Sequence, residues 1–171
     1  MVNVLGMDIG GANIKGVFLE TEGERIKQRR ASSRYFPIWK AGKERLPSVL
    51  SEIRERLTNS ARLDGVGVTM TAESSDAYRT KREGVNKILE AVEEAFKDLL
   101  ISVLNVNGCL LPVDKARSRF MEVASANWAA TGWLVSKLFP DCIVVDVGST
   151  TTSIIPVLNG KVKAEGRNDL E

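Results

Sequence analysis

The first part of the chain alternates apolar runs with turn residues, a pattern that predicts three β-strands. Apolar runs at 2–5 and 17–19 flank a glycine-bearing turn, which is typical of a β-hairpin. After Gly23, residues 24–33 are predicted to form a third strand. Its basic side chains indicate an exposed edge strand, because charge there discourages sheet-to-sheet pairing, and phosphate recognition is the alternative. These residues are Arg25, Lys27, Arg29 and Arg30.

Helices and strands alternate along the rest of the chain, which is typical of an α/β fold. Apolar residues at helical spacing predict a helix over 43–57 and a long amphipathic helix that begins near Val85. Short apolar runs predict strands at 65–70 and 101–106. Further helices are predicted over 114–123 and 125–138, and an apolar strand follows from Cys142. The predicted order is therefore βββαβαβα, followed by the start of a second group of strands.

Two distant hairpins each place an acidic residue at the end of their first strand. In the first, Asp8 precedes Gly10 and Gly11, whose bare backbone allows close approach of a ligand. In the second, Asp146 ends an apolar strand and a small polar turn follows: Gly148, Ser149, Thr150 and Thr151. A carboxylate beside backbone amides suits a phosphate group with Mg²⁺, which would lie on the side of Asp8 and Asp146. The alternative is two ordinary hairpins whose glycine and aspartate residues only form turns.

Lys15 and the polar loop 71–84 supply further candidate residues. Lys15 would reach a phosphate as a point charge, or face water as a strand residue. The loop follows the predicted strand 65–70, and ligands bind at such strand ends in open α/β sheets. Its Glu73 and Asp76 are candidates for a general base or a second metal ligand. The basic and aromatic residues of the loop are candidates for binding a second anionic group: Tyr78, Arg79, Lys81 and Arg82.

Three aromatic residues cluster within 35–39, and the chain has few others. We interpret Trp39 and its neighbours either as a wall that stacks on an aromatic substrate or as a hydrophobic plug before the next helix.

Several classes of site are excluded by what the sequence lacks. Gly10, Gly11 and Gly16 do not form a dinucleotide fingerprint with a following helix, and a GxxxxGK[ST] phosphate loop is absent. The chain has no histidine, which excludes histidine-based acid–base catalysis and zinc sites with histidine ligands. Any chemistry therefore depends on carboxylates, lysine, arginine, tyrosine, hydroxyls and a hard metal ion.

Composition indicates an ordinary globular protein of 171 residues. A net charge of +2 argues against bulk attraction to nucleic acid. Apolar runs are too short to cross a bilayer, and a cytoplasmic location is the expectation. The two cysteines, Cys109 and Cys142, lack metal-ligand spacing and are predicted to be small core residues.

Five sequence blocks follow one another along almost the whole chain: MDIGGANIK (7–15), YFPIWK (35–40), VTMTAESSDAYRTKREGV (68–85), ASANWAATG (124–132) and VDVGSTTTSIIP (145–156). These blocks resemble the hydantoinase/oxoprolinase branch of the actin, sugar-kinase and Hsp70 superfamily. Within that branch they are most similar to the archaeal methanofuran-biosynthesis members, which are linked to tetrahydromethanopterin one-carbon metabolism. The resemblance implies a ribonuclease-H-like lobe at 1–140, a mixed sheet with helices on both faces. It implies that 141–171 are the opening β-hairpins of a second, incomplete lobe, so that the chain would be an N-terminal fragment, the product of a split gene or a truncated form.

The same resemblance implies a transferase that joins an aminomethylfuran diphosphate to the phenol of γ-glutamyltyramine and releases diphosphate. Mg²⁺ and the two hairpins would hold the diphosphate, and Asn127 of the fourth block would contact substrate. Ser153 stands where relatives often have aspartate, which removes a carboxylate near the metal. The alternatives are an ATP-dependent hydrolase or small-molecule kinase, and a non-catalytic lobe that binds phosphate or a partner. A homodimer or a partner chain would complete the second lobe.

Overall fold

The computed structural model describes residues 1–147 and 152–164. The strands in that part of the chain are β1 (Val2–Ile9), β2 (Asn13–Glu22), β3 (Arg25–Tyr35), β4 (Gly65–Met70), β5 (Leu100–Leu104), β6 (Leu110–Pro112), β7 (Cys142–Val147), β8 (Thr152–Leu158) and β9 (Lys161–Val162). The helices are α1 (Ile38–Ala41), α2 (Leu46–Thr58), α3 (Lys81–Ala95), α4 (Val113–Ser118), α5 (Phe120–Val123) and α6 (Asn127–Ser136). Single 3₁₀ turns cover Lys43–Arg45 and Ala72–Ser74.

The first six strands form one mixed sheet in the order β3-β2-β1-β4-β5-β6. Strands β1, β4 and β5 are parallel, and the other neighbours pair antiparallel. The mixed sheet that the sequence predicts is therefore confirmed. Strand β3 lies at one edge and is mostly exposed, so the prediction of a charged edge strand is also confirmed.

Alternate residues of the central strands form the core, because successive side chains of a strand point to opposite faces. Leu5, Met7 and Ile9 of β1 are almost fully buried. Helix α2 lies directly on this face, since a methyl group at Gly16 of β2 would come within 2.7 Å of Cδ1 of Leu57. The loop after β4 lies beside the turn after β1, because these parallel neighbours end at the same edge of the sheet.

Strands β7, β8 and β9 form a separate three-stranded sheet. Helix α6 packs on one of its faces, where a methyl group at Gly132 would lie 2.9 Å from side-chain carbons of both Ile155 and Val162. The two sheets occupy the segments before and after residue 140, but the division into a first lobe (1–140) and a second (141–171) stays a prediction. Within the described ranges, no helix has both the length and the apolar character needed to cross a membrane.

Several local predictions were wrong. Cys109 is exposed because it follows the turn that leads into the short edge strand β6, and Cys142 is only half-buried because it begins the edge strand β7. The helix predicted over 114–123 is interrupted at Arg119, where α4 ends and α5 begins. Strand β6 is only three residues long, too short for its pattern to predict it.

Candidate functional site

The turn between β1 and β2 is compact and uses glycine for a steric reason. The Gly10 N–H donates to the Asn13 carbonyl at 3.0 Å, and a Cβ at Gly10 would lie only 2.7 Å from that same oxygen. Gly10 therefore permits the turn, while its amide is already engaged within it. The Gly11 N–H has no acceptor among the described residues. Of the two glycines, Gly11 is therefore the one whose amide remains available to a phosphate oxygen.

Asp8 lies at the end of β1 with one oxygen paired and one oxygen unpaired. Lys15, directly opposite on β2, donates from Nζ to Oδ2 of Asp8 at 3.3 Å. Asp8 Oδ1 is buried and lacks a partner in the described part of the molecule. Thr69 is the register partner of Asp8 on β4, and its Oγ1 is buried and unpaired in the same way. Two adjacent oxygens are thus desolvated without a hydrogen bond, an arrangement that costs free energy unless a ligand or water fills it.

This donor set fits Mg²⁺, a hard cation that takes oxygen ligands. Such ions are commonly held by one or two carboxylates, with waters and substrate phosphates completing the octahedron. Asp8 would supply the carboxylate, and Lys15 beside it would pair with a phosphate oxygen. No group of three acidic or cysteine side chains suited to a metal occurs within residues 1–147 and 152–164. A site of this composition would therefore depend on the substrate for several of its ligands.

The aromatic segment 35–40 is bonded to the same turn. The backbone N–H groups of Phe36 and Ile38 donate to the carbonyls of Ala12 and Gly11 at 2.8 and 2.9 Å. Phe36 and Ile38 are buried, whereas Trp39 is 54% exposed. The segment therefore combines both interpretations: two of its side chains form the plug, and the Trp39 indole remains free to stack on a ligand.

An open recess of about 390 Å³ follows strand β4 and is lined by residues 73–76 and 78–81. It adjoins the turn, because a methyl group at Gly11 would lie 3.7 Å from Cβ of Ser75 and 3.9 Å from Cζ3 of Trp39. The turn, the indole and the recess therefore form one continuous candidate site at the ends of β1 and β4.

Glu73 is the most unusual residue of the recess, because its side chain is only 1% exposed. Oε1 accepts hydrogen bonds from Ser125 Oγ at 2.8 Å and Ser74 Oγ at 3.0 Å, whereas Oε2 is buried without a partner among the described residues. Burial raises the pKa of the Glu73 carboxyl above its ordinary range, although the hydrogen bond from Ser125 opposes the shift. A buried carboxyl with a raised pKa in a recess is a candidate for proton transfer.

Tyr78 is also buried in the wall of the recess, at 8% exposure, and its hydroxyl has no partner in the described ranges. Burial raises the pKa of this hydroxyl, and the carboxylates of Glu44, Glu83 and Glu73 raise it further, so Tyr78 remains a neutral phenol. The Lys43 ammonium lies 5.3 Å from the ring centroid. The Tyr78 hydroxyl therefore keeps its proton and can donate a hydrogen bond to a ligand.

Helix α3 begins beside the recess with a cap that our sequence reading missed. Thr80 is the N-cap and accepts from the Glu83 N–H at 3.1 Å, while Glu83 accepts from the Arg79 N–H at 2.9 Å. The hydrogen bonds that the Glu83 carboxylate accepts from the Arg79 N–H and from Lys43 hold the pKa of Glu83 below its ordinary value. The spacing Thr-x-x-Glu is the sequence signature of such a cap and would have predicted the helix start.

The other candidate residues are dispersed around this region. Asp76 and Arg79 are exposed on the rim of the recess, and Lys81 lies there half-buried with an electrostatic interaction to Glu73. Arg82 turns away and places its guanidinium 4.6 Å from the ring centroid of Phe120. Asn127 is half-buried at the start of α6, two residues after Ser125.

Ser125 was missed by the sequence reading. It has a positive φ of 51° and bonds Glu73 across 52 residues of sequence. Its strained backbone connects the recess to α6, and no local sequence pattern reveals such a long-range bond.

Asp146 lies in the second sheet, where its register partner is Ser153. It shares a face with Ile155, the face on which α6 packs, because paired residues point to the same side. It has no hydrogen bond or ion pair to another described residue. The predicted phosphate contacts Gly148, Ser149, Thr150 and Thr151 lie outside the described residues.

The opposite face of this sheet is apolar and exposed. Its large side chains are more than half exposed: Ile143, Val145, Val147, Ile154 and Leu158. Trp133 and Leu134 of α6 are similarly exposed. Contiguous apolar surface of this kind is typical of an interface.

Comparison with known proteins shows which fold and which relatives this arrangement resembles. A family model described as hydantoinase/oxoprolinase matches residues 64–170. A curated relative from Methanocaldococcus jannaschii is 40% identical over 99% of this chain and is named (4-{4-[2-(gamma-L-glutamylamino)ethyl]phenoxymethyl}furan-2-yl)methanamine synthase. The chain spans 48% of that relative's length.

Two solved structures share the fold at low sequence identity. The Ppx/GppA phosphatase of Aquifex aeolicus is 16% identical, with a TM-score of 0.55 over 96% of this chain and 51% of the phosphatase. The ethanolamine utilization protein EutJ from Carboxydothermus hydrogenoformans is 18% identical, with a TM-score of 0.58 over 96% and 50%. The chain therefore shares the fold of these two proteins, and the predicted α/β fold class with a mixed sheet is confirmed.

Proposed function

Because the chain belongs to the hydantoinase/oxoprolinase family, we propose that it forms the first part of a transferase of methanofuran biosynthesis. The complete enzyme would join an aminomethylfuran diphosphate to the phenol of γ-glutamyltyramine, forming an aryl ether and releasing diphosphate. The name of the 40% identical relative supports this proposal, since it describes the synthesis of a phenoxymethylfuran that carries a γ-glutamylamino group.

The observation that carries the proposal is the pair of unpaired oxygens at the end of β1 and β4. Asp8 Oδ1 and Thr69 Oγ1 are buried and unpaired among the described residues, Lys15 pairs with the other oxygen of Asp8, and the Gly11 N–H of the following turn has no acceptor among those residues. This end of the sheet would therefore offer a metal ligand and two groups for phosphate oxygens. When bound, Mg²⁺ supplies charge neutralisation to the departing diphosphate. Asp146 would face the same diphosphate from the second sheet, and Gly148, Ser149, Thr150 and Thr151 stay sequence-based candidates for phosphate contacts.

The remaining site residues would handle the acceptor. Glu73 or Asp76 would accept the phenol proton, since both line the recess next to the turn. Trp39 would stack on an aromatic ring, and Arg79 and Lys81 would bind an anionic group of the substrate. Asn127 would contribute a polar contact from the start of α6.

We assign the exposed apolar face of the second sheet to the part of the enzyme that this chain does not include. The chain spans about half of the curated relative, and a polypeptide equivalent to the other half would cover Ile143, Val145 and Ile154. A homodimer through the same face is the competing arrangement. Sedimentation velocity on the chain, alone and with that polypeptide, distinguishes the two, because only the homodimer persists without it.

Product analysis tests the proposed reaction. The chain and the complementary polypeptide are incubated with Mg²⁺, the furan diphosphate and γ-glutamyltyramine, and ether and diphosphate are quantified. We expect Asp8→Asn to lower turnover about 100-fold, because contacts to a metal-bound leaving group are worth several kcal/mol. Asp98→Asn, an exposed aspartate outside the site, is the matched control and keeps full activity.

The alternatives give different products in the same experiment. ADP release from ATP without ether would indicate an ATP-dependent hydrolase or a small-molecule kinase instead. Tight diphosphate binding without turnover in any combination would indicate a non-catalytic phosphate-binding lobe. Either result would replace the transferase assignment.

A further inference from the structure

We infer that the recess is a subsite for a phenolic hydroxyl, with Glu73 as the catalytic carboxylate that takes its proton and Tyr78 as the donor to its oxygen. The inference rests on the proposed function and deepens it. It selects Glu73 over Asp76 as the base, and it assigns the acceptor's aromatic hydroxyl to a defined position.

Two unpaired polar atoms determine which chemical group fits. Glu73 Oε2 and the Tyr78 hydroxyl are both buried and unpartnered in the described part of the chain, and both residues line the recess. An ionised carboxylate only accepts hydrogen bonds, so Oε2 requires a donor, whereas the Tyr78 O–H requires an acceptor. A hydroxyl supplies both from one oxygen. An ammonium cannot accept, and a carboxylate cannot donate.

The surroundings favour an aromatic alcohol. A methyl group placed at Gly11 would lie 3.7 Å from Cβ of Ser75, which lines the recess, and 3.9 Å from Cζ3 of the half-exposed Trp39 indole. The recess and the indole therefore lie on either side of Gly11, so a flat ring in the recess would be able to contact the indole. Aromatic rings gain from offset or edge-to-face contacts of this kind. The same position keeps the hydroxyl next to the turn between β1 and β2, where the diphosphate would lie.

Glu73 is suited to the proton transfer and Asp76 is not. Efficient general bases have a pKa brought toward neutrality, and burial raises the pKa of Glu73 in that direction. The Asp76 side chain is exposed on the rim, where it cannot enclose a phenol hydroxyl away from water. In the reaction, the phenol proton passes to Oε2 of Glu73 and the phenol oxygen forms a bond to the furan methylene carbon. The bond from that carbon to the diphosphate oxygen breaks, and its electron pair leaves with the diphosphate.

Ser125 is a positioning residue in this arrangement. Its hydroxyl donates to Oε1 of Glu73 at 2.8 Å, which leaves Oε2 for the ligand. Helix α3 packs tightly against the backbone of the same residue, since a methyl group at Gly84 would lie 2.6 Å from the Glu73 carbonyl oxygen. Glu73 is therefore held at its carboxyl group by Ser125 and at its backbone and Cβ by α3.

Calorimetric titration of the 171-residue chain with tyramine and with phenethylamine tests the inference, since the two ligands differ only in the hydroxyl. We expect tyramine to bind at least about tenfold more tightly than phenethylamine. Its hydroxyl would make two hydrogen bonds, one of them to a charged group, and together these account for a difference of that size. Glu73→Gln and Tyr78→Phe should each remove most of that preference. Asp76→Asn should retain it, and Glu90→Gln on the outer face of α3 is a charge-matched control.

Tyr78→Phe also separates binding from folding. The hydroxyl has no internal partner, so its removal breaks no described hydrogen bond and should leave the urea midpoint unchanged or raised. Equal binding of the two ligands, binding of neither, or loss of the preference in Asp76→Asn would overturn the inference.

Failure here is distinguishable from failure of the proposed function. If ether and diphosphate form while the hydroxyl preference is absent, the transferase stands and the subsite lies elsewhere. If the preference is present and no diphosphate is released, the recess binds phenols for a different reaction.

Discussion

Replacing Gly84 with alanine tests how closely helix α3 is packed against the loop that carries Glu73. In an exposed helix the substitution would stabilise by about 1 kcal/mol, because alanine is the better helix former. Here the new methyl group would lie 2.6 Å from the Glu73 carbonyl oxygen, 2.7 Å from its Cα and 2.8 Å from its Cβ. Since carbon atoms prefer separations of about 3.5–4.0 Å, the methyl group would be roughly 1 Å too close to main-chain atoms.

The steric cost should therefore exceed the gain in helix propensity. Overpacking of a core typically costs about 1–3 kcal/mol, and the upper end applies because main-chain atoms obstruct the methyl group and cannot rotate away. About 3 kcal/mol of overpacking less about 1 kcal/mol of propensity leaves a net loss of about 2 kcal/mol. For a chain of this size, that loss lowers Tm by about 4–8 °C.

Urea unfolding followed by far-UV circular dichroism measures the change in the free energy of unfolding. Gly67→Ala is the control, because a methyl group at Gly67 meets nothing within 4 Å and should leave stability unchanged or slightly raised. An unchanged or increased stability of Gly84→Ala would show that the helix and the loop are not in tight contact, and would refute the packing argument.

Two further predictions concern the helix cap and the buried carboxyl. Thr80→Ala should lower the free energy of unfolding by about 1 kcal/mol, because the hydrogen bond from the Glu83 N–H to the N-cap side chain is lost. Thr71→Ala is the control, since the Thr71 side chain makes no cap bond, and it should leave stability nearly unchanged. Equal losses in the two variants would contradict the prediction. The pKa of Glu73 is raised above 4.5 in the folded state, so between pH 4.5 and that raised pKa the folded chain binds more protons than the unfolded chain. The free energy of unfolding of the wild type should therefore fall as pH rises through this interval. Glu73→Gln should remove that fall, so its stability relative to wild type should rise with pH in urea titrations; parallel curves would contradict the shift.

The local sequence alone determined the positions of most elements and one half of the candidate site. Strand β4 lies at 65–70 as predicted, because a short apolar run between polar segments is typical of a buried strand and is too short for a buried helix. Asp8 and the glycines of the first turn were identified from local spacing, because a strand end and a tight turn are decided by residues next to one another. The family blocks predicted the fold class for the same reason, as they preserve such local patterns in order.

Tertiary structure decided which of the candidate residues are buried and what faces them. Glu73 and Asp76 are indistinguishable as acidic loop residues in the sequence, yet one is enclosed by Gly84 and Ser125 and the other is in water. Burial depends on contacts between residues tens of positions apart, which periodicity cannot report. The desolvation that raises the pKa of Glu73, and the lack of a described partner for its second oxygen, are consequently properties of the folded chain.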